Sequence, residues 1–120
     1  MQEEIKKIED GNYGGFIISK NVWNGVKIGY SYREKSAKAE LNGWIIYSIQ
    51  DDDAYVEDAG NFLIINATSM YQVDSLMLKI FDAPYGTDLC WQYNSKGDFI
   101  GFYDLVHNKN VTIKDILKNK

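Results

Sequence analysis

The chain is short of the residues that most often anchor chemistry: its 120 residues include one cysteine, one proline and one histidine. With only Cys90, there is no disulfide framework, no CxxC and no paired histidine set for zinc, so no metal or other cofactor is expected. In that setting the glycosylation-like tripeptides at Asn66 and Asn110 are chance matches. No apolar run approaches the roughly 20 residues a bilayer span needs, and the opening MQEEIKKIED is charged where a secretory leader would be apolar. The expected location is therefore cytoplasmic, with no membrane partner. A basic excess is missing too: 13 basic against 17 acidic side chains give a net charge of −4. A general nucleic-acid binder would show the opposite, a basic stripe, so no nucleic acid is expected as a partner.

What is present is ordinary in amount and uneven in placement. Apolar residues at 45% and charged residues at 25% describe a globular protein, and the length suits one domain with its own core. That domain is expected over residues 14–120, with residues 1–13 as an N-terminal helix or frayed arm. Aromatics stand out, with nine tyrosines and three tryptophans. The acids are concentrated, since Asp51, Asp52, Asp53, Glu57 and Asp58 lie within DDDAYVED. Removing those five from 17 leaves 12 acids against 13 bases, so the net acidity of the chain is this one patch.

Three strands are expected between residues 14 and 49. Val26, Ile28, Tyr30 and Tyr32 alternate with Lys27, Gly29, Ser31 and Arg33, the period-two pattern of a half-buried strand with the first set inward. A two-residue Asn24-Gly25 turn would put Phe16 and Ile18 on the polar side. A three-residue Trp23-Asn24-Gly25 loop instead pairs Ile18 with Tyr30 and Phe16 with Tyr32, and it requires Gly25 at positive φ. Residues 44–49 are apolar on both faces, which marks a central strand covered on both sides, partly by helices, with Trp44 in the core.

Further along, residues 62–65, 89–93 and 99–103 read as strands. An apolar stripe of Val73, Leu76, Met77, Ile80 and Phe81 predicts a helix beginning at Thr68, Ser69 or Asp74 and ended by Pro84. Thr112 and Asp115 form an approximate capping box for a last short helix. The fold class is α+β, a single domain with a mainly antiparallel sheet of about five to six strands and two or three short helices.

Catalytic constellations are weak. His107 lies in the polar segment HNKN without an evident acidic partner and reads as a solvated loop histidine, while Cys90 sits in a strand as a small buried hydrophobe. Asp51, Asp53 and Tyr55 match the first EF-hand spacings, but Val56 and Phe62 stand where that loop needs Gly and Glu. No enzyme is expected. The acidic stretch with nearby aromatics, Trp23, Trp44 and Tyr55 among them, suits recognition of a basic protein surface. The expected binding residues are Asp51, Asp52, Asp53, Tyr55, Glu57 and Asp58, and Gly25, Trp44 and Pro84 are expected to be structural. A small-molecule or peptide-binding module with an aromatic cleft is the alternative.

The succession GGFIISK, GYSYRE, NGW, Tyr55-Val56-Glu57-Asp58, Asn61 and DAPYGT resembles the bacterial immunity protein family thirty-three of polymorphic toxin systems. The likeness covers about residues 14–93. Leu41-Asn42-Gly43-Trp44 stands where that family carries an Asp-Ser-Gly-Trp-like motif. The resemblance implies a non-enzymatic α+β protein that binds and neutralises a cognate toxin in the cytoplasm.

Overall fold

The computed structural model describes residues 8–118. Of the expected N-terminal helix or arm over residues 1–13, residues 1–7 lie outside the described residues, and Asp10–Asn12 form a single 3-10 turn. From there the chain runs β1 (Gly15–Ser19), α1 (Lys20–Trp23), β2 (Ile28–Arg33), β3 (Leu41–Ser48), α2 (Asp53–Val56) and β4 (Phe62–Ile65). It continues through α3 (Ala67–Val73), α4 (Leu76–Lys79), β5 (Asp88–Tyr93), β6 (Phe99–Asp104), β7 (Lys109–Val111) and α5 (Ile113–Lys118). The α+β class holds, with seven strands rather than five or six and five short helices rather than two or three among the described residues. The strands form one sheet in the order β4-β1-β3-β2-β5-β6-β7, antiparallel except for the parallel pair β1–β3.

The hairpin expected between β1 and β2 does not form, because β3 lies between them. The local cause is Ser19, whose hydroxyl accepts from the Val22 amide at 3.2 Å and so caps α1 at the point where a hairpin would turn. Gly25 does adopt positive φ, at +104°, but it does so in ending that helical turn rather than in a hairpin bulge. The strand richest in apolar residues on both faces takes the interior position. Trp44 and Ile46 are fully buried there.

The expected faces of β2 are reversed. A register irregularity between Ile28 and Tyr30 shifts the alternation, so Ile28 and Ser31 point into the core while Tyr30 and Tyr32 are half-buried on the other side. Ser31 can be fully buried because its hydroxyl accepts from the Trp91 indole N–H at 2.9 Å. The core face of the sheet carries Phe16, Ile18, Trp44, Ile46, Leu89, Trp91 and Phe102. Ala67, Met70, Met77, Ile80 and Ile116 from α3 to α5 close over it.

The helix expected from about Thr68 to Phe81 is broken at Asp74, the C-cap of α3. Its N-cap is Asn66, whose side chain accepts from the Ser69 amide at 2.9 Å. After α4, Pro84 opens a tight turn in which Thr87 returns its amide and hydroxyl to the Pro84 carbonyl, with Gly86 at φ +98°.

Candidate functional site

The second face of the sheet is covered much less. Cross-strand register places Ile64, Ile17, Ile45, Tyr32 and Asp88 in one row across it, and Tyr47, Tyr30, Cys90, Tyr103 and Asn110 in the next. Cover is expected on both sides of β3, partly from helices, but Ile45 and Tyr47 on this side stay half-exposed. The tyrosines hold each other. Tyr30, Tyr32 and Tyr47 have ring centroids 5.5 to 5.8 Å apart, and the Tyr32 and Tyr47 hydroxyls lie 3.3 Å apart. Burial first, and a hydrogen bond to the neighbouring Asp88 carboxylate second, push the Tyr30 phenol well above its ordinary range; burial and the Tyr47 hydroxyl do the same for Tyr32. These phenols stay neutral donors at any physiological pH.

The acidic stretch borders this face. Ile17, Ile45, Tyr32, Tyr47, Phe62 and Ile64 floor a groove of about 380 Å³ that Val56, Glu57 and Ala59 border, and it opens broadly to solvent. Tyr55 holds α2 against the start of β4: Asn61 Nδ2 donates to the Tyr55 carbonyl at 2.9 Å, and the Tyr55 ring lies 6.4 Å from Phe62. Trp44 is buried in the core and Trp23 lines a separate depression beside α3, so neither joins the acids. The aromatic residues that share the groove with Glu57 are Tyr32, Tyr47 and Phe62, which pattern alone does not bring together with it.

The five acids differ in what they do. Asp51 accepts from the Ser48 amide and hydroxyl, the latter at 2.7 Å, and from Asn21 at 2.8 Å. Burial opposes its ionisation, but those hydrogen bonds outweigh it and hold the carboxyl below the usual range. Asp52 caps α2 and Asp58 caps the 3-10 turn Ala59–Asn61. Asp53 and Glu57 are exposed on α2 and its C-cap.

Three of the segments that carried the family resemblance meet elsewhere, around Arg33. Its Nη1 donates to the Phe81 and Ala83 carbonyls at 2.8 Å each, and its Nε donates to Asn42 O at 3.0 Å. The guanidinium lies 4.8 Å from the Tyr85 ring, 4.9 Å from Phe81 and 5.9 Å from Trp44. Trp44 donates its indole N–H to the same Phe81 carbonyl at 3.0 Å. Gly43 has φ +90°, and a Cβ there would collide with the Glu34 carbonyl oxygen. GYSYRE, NGW and DAPYGT are thus three sides of one clasp.

A larger cleft of about 460 Å³ lies between Tyr85, Thr87, Val106 and His107. His107 does have an acidic partner, since its Nδ1 is 2.7 Å from Asp104 Oδ2. That carboxylate also accepts from the Val106 and His107 amides; burial opposes its ionisation, and these bonds hold it low. Its work there is to fix the turn into β7. Cys90 pairs with Tyr30 and Tyr103 on the half-covered face, while Asp104 sits opposite Leu89 on the core face, so the sheet separates the thiol from the histidine's carboxylate. No described helix is long and apolar enough to cross a membrane.

The Immunity protein Imm33 domain model matches residues 16–103, and the chain belongs to that family. Comparison with curated proteins and with solved structures finds no match.

Proposed function

We propose that this immunity-family chain neutralises a cognate bacterial toxin in the cytoplasm by binding it without catalysis, through the half-covered sheet face and its acidic border. The observation that carries this reading is the convergence of Glu57 with Tyr32, Tyr47 and Phe62 on one groove. Neutral tyrosines held against each other provide rigid aromatic area with polar tips, the composition that dominates protein interfaces. The free carboxylates beside them favour a toxin with a basic surface and speed the encounter. The larger cleft near His107 is the weaker candidate, because its only carboxylate is consumed by the turn it caps.

The test takes a candidate toxin, sought first in the reading frames beside this one, and the double substitution Tyr32→Ser with Tyr47→Ser. A variant that still folds should bind the toxin at least about 30-fold more weakly, the equivalent of one lost hot spot of about 2 kcal/mol. Unchanged affinity would place the interface elsewhere.

A further inference from the structure

We infer that the free edge of β4 takes an extended segment of the partner, with apolar and basic side chains together on its groove-facing side, as an eighth strand of the sheet; this rests on the reading that the half-covered face binds a protein. Among the described residues β4 pairs with β1 alone, so its outer row of N–H and C=O groups is open to another strand. Natural sheet edges are usually blunted by a charge, a proline, a bulge or a cover. The β4 sequence is FLII, without charge or proline, its pairing with β1 is regular, and Ile64 is 64% exposed. The other edge is built differently: β7 is three residues long, begins Lys109-Asn110, and runs straight into α5.

The surroundings of β4 define the occupant. Every second side chain of an added strand would lie beside Ile64 and over the apolar floor that continues through Ile17 and Ile45. Glu57 stands at that groove, with Asp53 on the same helical turn, so a basic side chain two residues from an apolar one, on the same face of the added strand, completes the match. Main-chain pairing supplies affinity in this mode and the side-chain alternation supplies selectivity. A second copy of this chain is the poorer fit, since it brings another acidic segment at net charge −4.

The experiment uses the full chain and two synthetic probes, an acetylated heptapeptide Thr-Val-Thr-Lys-Thr-Val-Thr, whose valines and lysine share one face of a strand, and the same peptide N-methylated at every second residue. Exchange of the β4 amides is followed by NMR. The unmodified peptide should slow exchange at Leu63 or Ile64 at least about tenfold at saturation, and the N-methylated one should have no such effect. Ile64→Lys, at an exposed position that keeps the fold, should abolish the protection. Equal binding of both peptides, or binding without β4 protection, overturns strand addition while leaving a side-chain interface on the face intact. No binding of either peptide, or concentration-dependent self-association that protects β4 in their absence, also overturns it. Loss of toxin binding in the tyrosine double variant is scored separately and bears only on the face.

Discussion

The eight residues of β3 build two unlike surfaces. Trp44 and Ile46 are fully buried under α3 and α4, whereas Ile45 and Tyr47, one position along, remain half-exposed on a face that only α2 borders. The buried side is where GYSYRE, NGW and DAPYGT converge on Arg33, and the exposed side holds the tyrosines and the acidic groove. The difference suggests a division of labour. The clasp around Arg33 holds the fold together, and the proposed partner surface takes Ile17, Tyr32 and Glu57 from the same motifs but from the opposite side of the sheet.

The sharpest way to break that division is Trp44→Ala. It removes a fully buried indole and its bond to Phe81 O, so a loss of about 3 to 5 kcal/mol is expected in urea denaturation. A loss below about 1 kcal/mol would mean that the buried side is not the organising one. Next comes the clasp itself. Arg33→Gln strips charged donors from the Phe81 and Ala83 carbonyls and should cost about 2 to 3 kcal/mol. Gly43→Ala should cost about 1 to 3 kcal/mol from positive φ alone, before the collision with Glu34 is counted. Both variants should bind toxin normally once folded.

A smaller effect belongs to the acids that only appear to serve the surface. The folded carboxyls of Asp51 and Asp104 are held below their unfolded value of about 3.9. Their stabilisation is therefore complete above that value and is lost as pH falls below it towards their folded pKa values. The urea midpoint should decline below about pH 4, and Asp51→Asn should flatten that decline while lowering stability at pH 7 by about 1 kcal/mol. An unchanged acid limb would mean that the Ser48 and Asn21 bonds do not persist in solution.

The smallest effect on folding comes from exchanging Asp53 and Glu57 for Asn and Gln, which should leave the urea midpoint within about 0.5 kcal/mol. Toxin association should slow severalfold at low salt and converge with the parent chain as screening shortens to about 8 Å near physiological ionic strength. Rates that match at every salt concentration would reduce these carboxylates to a solvated border.

How much of this the sequence shows depends on whether the cause is local. Residues 62–65, 89–93 and 99–103 read correctly as strands, and the Thr112–Asp115 box forms as expected, because alternation and capping act over a few residues. The β1–β2 hairpin misled because a local competitor, the Ser19 cap, outranks an attractive register. The faces of β2 inverted because Ser31 and Arg33 look solvent-bound until Trp91 and three backbone carbonyls are brought to them from elsewhere in the chain. Strand β7 was hidden by polar side chains, since its pairing with β6 is carried by the backbone. At the candidate site the acidic run was visible as charge. Its neighbours Tyr32 and Tyr47 were visible only as alternation, and nothing in the pattern said that a bulge would turn Tyr32 away from the core.

The most direct test of the account is a side-chain footprint. Hydroxyl-radical labelling of the chain, free and bound to its toxin, reports which aromatic and aliphatic side chains lose solvent. Tyr32, Tyr47, Phe62 and Ile64 should lose most of their reactivity, while Tyr85 and Val106, exposed beside the other cleft, should label as before. Protection centred on Tyr85 and Val106, with the tyrosine face unchanged, would contradict it.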